Sequence, residues 1–115
     1  MGPVTSKWGN DLPGFVPQQW ASRLGHDTLP AIARIGETLS TRANSERIVP
    51  AAHQVFRALE VAPQDVRVIV VGQDPYPTAE HAMGWAFSVP RGVTPLPPSA
   101  KNIRTELRED LGVEL

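Results

Sequence analysis

The residues best suited to chemistry in this 115-residue chain lie between positions 72 and 99. Gly72-Gln73-Asp74-Pro75-Tyr76 sets a carboxylate between a glycine that lets the backbone turn closely and a proline that fixes the next turn, so that Asp74 faces outward beside backbone N–H groups. An aspartate in such a turn also bonds to its own backbone, and on these five residues alone the two readings weigh about evenly. Thirteen residues beyond Asp74 comes Phe87, within Gly84-Trp85-Ala86-Phe87-Ser88-Val89, and then Pro95-Leu96-Pro97-Pro98-Ser99. An isolated Tyr or Phe is more often core packing than a ligand-stacking ring, so only the spacing to Asp74 raises Tyr76 and Phe87 above that. The rigid Pro97-Pro98 pair ahead of a helix offers a stiff edge, and Ser99 adds a hydroxyl and N–H groups that suit a phosphate. Plain N-capping by Ser99 is the simpler role, and a proline-rich ligand for an SH3-type domain is a weaker one.

These residues need elements to position them. Val66-Arg67-Val68-Ile69-Val70-Val71 is β-branched almost throughout and lacks strict alternation, which predicts a strand buried on both faces of a parallel sheet. A loop at the carboxyl end of such a strand is where open α/β sheets place their ligands, and Gly72 to Tyr76 would sit there. Gly84 to Val89 predicts a short second strand. Helices are expected at Trp20–Leu24, over Leu29, Ile32, Ile35 and Leu39 behind Pro30, and after Pro50 with Ala52, Val55, Phe56 and Leu59 as its apolar stripe. Gly36 weakens the second of these, and Thr41 to Glu46 reads as a polar loop. A last helix after Ser99 would turn Ile103, Leu107 and Leu111 inward. The expected fold is three-layer α/β with a central parallel sheet, present only in part: one long buried strand, one short strand and flanking helices. Residues 1–14 read as an irregular arm pinned by Trp8, and residues 15–115 as part of a single domain whose sheet is incomplete at Leu115.

Composition narrows the function classes. The chain is 41% hydrophobic with a formal net charge of −1, so nothing global draws it to polyanions and any nucleic-acid contact must be local. With no cysteine it has neither disulfides, thiolate metal sites nor a cysteine nucleophile, which fits a reducing, cytoplasmic setting. No stretch approaches the roughly 20 apolar residues that span a bilayer, and the loose myristoylation match at Met1-Gly2 carries little weight. His26, His53 and His81 lack metal-ligand spacing and are assigned no role. On the last helix, Lys101, Arg104 and Arg108 fall on one flank with Glu106, Glu109 and Asp110 on the other, as on a solvated face. No phosphate-loop or dinucleotide glycine motif follows Val71, which discourages a nucleotide binder.

The order and spacing of Gly72-Gln73-Asp74-Pro75-Tyr76, Ala86-Phe87-Ser88-Val89 and Pro97-Pro98-Ser99 resemble the family-1 uracil-DNA glycosylases. Their water-activating loop reads Gly-Gln-Asp-Pro-Tyr-His and is followed by Gly-Leu-Ala-Phe-Ser-Val and a Pro-Pro-Ser loop. The resemblance also runs upstream through the Pro50 segment and covers nearly the whole chain beyond the arm. It implies base excision repair: hydrolysis of the uracil N-glycosidic bond in DNA, with the base flipped out of the stack. Asp74 would activate water and stabilise the cation that builds on the sugar. Gln73 would hold a uracil carbonyl, chiefly through its main chain; Tyr76 would exclude the methyl group of thymine; Phe87 would stack on the base; and Pro97, Pro98 and Ser99 would meet the DNA backbone. The implied partner is uracil-containing DNA, with no metal, cofactor or membrane, and a monomer at full length.

Two departures stand out. Pro77 replaces the usual His and Trp85 the usual Leu, and neither removes a catalytic group, although Trp85 adds bulk beside the pocket. The family's later segments, an Asn that reads the uracil edge and a His-Pro-Ser loop with the leaving-group histidine and a leucine wedge, do not occur within residues 1–115. This identifies the chain as resembling the amino-terminal half of the family and implies little or no activity for it alone. The alternative is a non-catalytic fragment that binds nucleic acid or protein.

Overall fold

The computed structural model describes residues 8–78 and 80–114. In chain order it holds a 3-10 turn at Leu12–Phe15, helices α1 (Gln18–Ala21) and α2 (Thr28–Arg42), further 3-10 turns at Ala52–Gln54, Arg57–Glu60 and Pro63–Asp65, and helix α3 (Pro98–Leu111).

The expected central parallel sheet is not there. No described residue lies in a strand, and Val66 to Val71 has no regular structure. Val68, Ile69, Val70 and Val71 are 77%, 76%, 60% and 84% exposed, the reverse of doubly buried. The physical reason is that β-branched composition sets only a local preference, whereas a strand is stabilised by ladder bonds and side-chain pairs that adjacent strands must supply. The second expected strand fails differently. Gly84 has φ 95° and Phe87 φ 65°, and the Ser88 N–H bonds to the Trp85 carbonyl, so residues 84–88 form a turn.

The helix after Pro50 is also broken. Phe56 at φ −104°, ψ 22° interrupts the run and leaves two short 3-10 turns, of which Ala52 is fully buried. Helix α2 is as expected from its apolar spacing but continues through Arg42, where Arg42 holds Glu46 at 2.7 Å across the first residues of the polar loop. Gly36 has a packing reason that outweighs its propensity cost of about 1 kcal/mol. It is buried, and a Cβ there would run into the Gly9 carbonyl and the Leu12 side chain. Helix α2 therefore packs on the Leu12–Phe15 turn, which in turn meets Ala52–Gln54.

Leu12, Val16 and Ala52 make up the buried apolar core. The Trp20 indole N–H donates to the Val61 carbonyl at 2.8 Å and ties α1 to the middle of the chain. Helix α3 is less covered than its pattern suggests, since Ile103 and Leu111 are exposed and Leu107 is half-buried. The accessible surface of 8507 Å² exceeds the roughly 6,200 Å² expected of a compact monomer of this mass, so the three-residue core leaves much apolar surface in water.

Candidate active site

Residues 72–76 follow that segment as an irregular loop and meet the turn at 84–88 and the start of α3. Each element fits for a local reason. Gly84 sits at a positive φ with its α-carbon hydrogens facing the Gln54 carbonyl and the Arg57 side chain; a Cβ would collide with that carbonyl. Gly72 packs under the Phe87 ring, whose Cζ lies 3.6 Å from where a Cβ would stand. Helix α3 starts at Pro98, whose fixed φ suits a first turn, and is preceded by the buried Pro97.

Ser99 is therefore inside the helix and does not cap it, which corrects the simpler expectation for its hydroxyl. That hydroxyl instead lies 3.1 Å from the Tyr76 hydroxyl, and Tyr76 donates to the Phe87 carbonyl at 3.0 Å. Phe87 is held in the left-handed region, which an aromatic residue seldom occupies. The bond from Tyr76 thus fastens the backbone at a strained residue. The Gln73 side-chain amide Nε2 donates to Asp74 Oδ2 at 3.2 Å.

Asp74, Gln73, Tyr76, Phe87 and Ser99 line one open cavity of about 420 Å³. Asp74 is exposed at its edge. Pro97 and Pro98 are not part of it; they border a second hollow with Pro77. Tyr76 and Ser99 line both.

Residues not assigned a role from the sequence also reach the site. Pro50 and Val55 line the main cavity from a segment more than fifteen residues upstream, and no local signal points to that. Trp85 lines it too, half-buried, beside the pocket as its bulk suggested. His81 presents an edge-on ring contact to Tyr76, with centroids 6.2 Å apart. Its closeness to Tyr76 in the chain was the available clue. The basic flank of α3 is less uniform than a solvated face: Arg108 pairs with Glu114 at 3.0 Å, and Arg104 is half-buried with its Nε enclosed.

Among the described residues, no helix is long and apolar enough to cross a membrane. No family model and no solved structure matches the chain. Curated proteins do. The chain is 46% identical over 110 residues to a uracil-DNA glycosylase of Mycolicibacterium smegmatis, covering 95% of this chain and 47% of the relative. It is 55% identical over 69 residues to that of a Ruegeria species, covering 59% of this chain and 30% of the relative. With the enzyme of Chlamydia felis it shares 43% over 101 residues, 86% of this chain and 44% of the relative. The chain belongs, by this similarity, to the uracil-DNA glycosylase family, and it spans about half the length of the curated relatives it matches.

Proposed function

We propose that this chain carries the water-activating carboxylate and the base pocket of a uracil-DNA glycosylase acting in base excision repair. The observation that carries the proposal is the shared cavity, in which Asp74, Tyr76 and Phe87 line one space with room for a planar base. In that space Asp74 orients a water molecule and opposes the positive charge that develops on the sugar as the N-glycosidic bond breaks. Tyr76 excludes a 5-methyl group, Phe87 stacks on the flipped base, Gln73 holds a uracil carbonyl through its main chain, and Pro97, Pro98 and Ser99 meet the DNA backbone. Uracil-containing DNA is the partner, the reaction uses no metal or cofactor, the full-length protein is a monomer, and a chain without cysteine suits the cytoplasm.

Alone, the 115-residue chain hydrolyses uracil-containing DNA weakly or not at all, because among the described residues no cationic or imidazole side chain lines the pocket to stabilise the departing uracil anion. The test compares the chain with a chimera completed by the remaining residues of the Mycolicibacterium smegmatis relative, on uracil-containing single-stranded DNA. The chimera should release uracil, and Asp74→Asn should slow it by on the order of 10²–10³-fold. An inactive chimera that folds with Asp74 intact sinks the proposal. The openness of the cavity also fits a second reading, a non-catalytic binding fragment. Under it the chain binds uracil-containing or abasic oligonucleotides with an affinity that falls as salt rises, and the folded chimera stays inactive.

A further inference from the structure

The hydroxyls of Tyr76 and Ser99 have one proton each to donate. The Phe87 carbonyl has none, so the 3.0 Å contact takes the Tyr76 proton. At the 3.1 Å contact between Tyr76 and Ser99 the donor must then be Ser99. A DNA phosphate carries no proton either and only accepts. Ser99 therefore faces two acceptors with one proton: the Tyr76 oxygen on the pocket side and, on the reading given above, a phosphate on the outer side.

We propose that the Tyr76 hydroxyl is a hydrogen-bond relay that makes phosphate capture at Ser99 and release of Phe87 a single event. This rests on the phosphate contact assigned to Ser99. When Ser99 turns its proton to a phosphate oxygen, its Oγ becomes the acceptor for the Tyr76 O–H. Tyr76 then no longer donates to the Phe87 carbonyl. Two bonds exist before and two after, and Tyr76 turns to Ser99 rather than staying on Phe87 because a hydroxyl that donates to a charged phosphate is polarised into the stronger acceptor. Phe87 loses the bond that fastens it at φ 65° and its ring becomes free to move against Gly72, at the cavity where the base would enter. Tyr76 and Ser99 line both hollows, so the relay links the backbone side to the base side.

The test uses the whole chain and a short oligomer of abasic tetrahydrofuran deoxyribose phosphates, which offers phosphates but no base. The Phe87 carbonyl ¹³C and the amides of residues 98–101 are followed by NMR, together with the ring signals of Tyr76, the only tyrosine. In the wild type the oligomer should shift the amides and move the Phe87 carbonyl to the position it has in Tyr76→Phe. Tyr76→Phe should bind the oligomer roughly 2- to 10-fold more tightly, because the Ser99 proton is no longer committed. Ser99→Ala should bind more weakly and keep the Phe87 carbonyl bonded throughout, and Ser99→Thr should restore both responses. A merely structural role for Tyr76 gives equal or weaker binding in Tyr76→Phe, which overturns the relay. Amide shifts at 98–101 with an unmoved Phe87 carbonyl overturn it while leaving the phosphate contact standing. No binding at all removes both the contact and the relay.

Discussion

Val66–Val71 and the loop that follows it are adjacent in the chain but held in opposite ways. The first carries the most apolar run in the sequence and leaves four consecutive side chains largely in water. The second is poorer in apolar residues, yet Tyr76, Phe87 and Ser99 are tied together by two hydroxyl contacts, and Gly72 and Gly84 let ring and backbone close on their neighbours. The difference lies in where each finds its partners. A β-branched run needs whole strands beside it, whereas the loop needs a few groups that arrive from within about thirty-five residues of chain. Order in this molecule follows the reach of such contacts rather than hydrophobicity.

The largest effect should come from the loop side. Gly84→Val adds a Cβ where the Gln54 carbonyl already stands, at a backbone angle that a β-branched residue resists, and should cost about 3 kcal/mol or more. Gly92→Ala has a similar φ of 87° but open space around it, and should cost only about 1 kcal/mol. Urea unfolding of the two variants separates the close fit from the backbone angle. Equal losses would mean that the Gln54 contact does not hold the site together.

Next comes the link between α1 and the middle of the chain. Trp20→Phe keeps most of the ring but removes the N–H that reaches Val61, leaving that carbonyl to water. A loss of about 1 kcal/mol is expected, read from the unfolding midpoint. A smaller change would show that the indole acts through its apolar face alone.

What could be read from sequence divides along the same line. The residues of Gly72 to Tyr76, Phe87 and Ser99 line a common cavity, and their spacing made it reasonable to group them. Helices α2 and α3 form where their 3.6-residue apolar spacing put them, although Ile35, Ile103 and Leu111 on those stripes stay exposed. The sheet did not follow from composition, because Val66–Val71 says that a strand would be favourable but not that anything lies beside it. Phe56 and Phe87 take backbone angles outside the helical and extended regions, which broke the expected third helix and second strand. The bond from Tyr76 to Ser99 joins residues 23 apart, and capping was the plainer expectation for a serine at a helix start.

A purely local contact sets the lower end of the scale. Arg42 hydrogen-bonds and attracts Glu46, which holds the Glu46 carboxyl below its ordinary value and raises the Arg42 guanidinium. A carboxyl lowered in the folded state adds stability that is present above its unfolded value of 4.5 and lost as pH falls through the folded one. Both groups are exposed and screened, so Glu46→Gln should shift the neutral-pH unfolding midpoint only slightly, and the difference should vanish in acid. A difference that persists in acid would point to some other role for Glu46.

The smallest effect is expected where hydrophobicity is greatest. Ile69→Thr in a doubly buried strand would remove packed methylenes and bury a hydroxyl, at a cost of several kcal/mol. In water the same change removes little, because Ile69 is already three-quarters exposed, and surface substitutions stay within about 0.5 kcal/mol. Val71→Thr should be equally silent to unfolding. Both variants should instead lower the binding of a hydrophobic dye, since they break up the exposed apolar strip. A midpoint that drops by more than about 1 kcal/mol for Ile69→Thr would mean that something covers this segment in solution, and the contrast between the two regions would then fail.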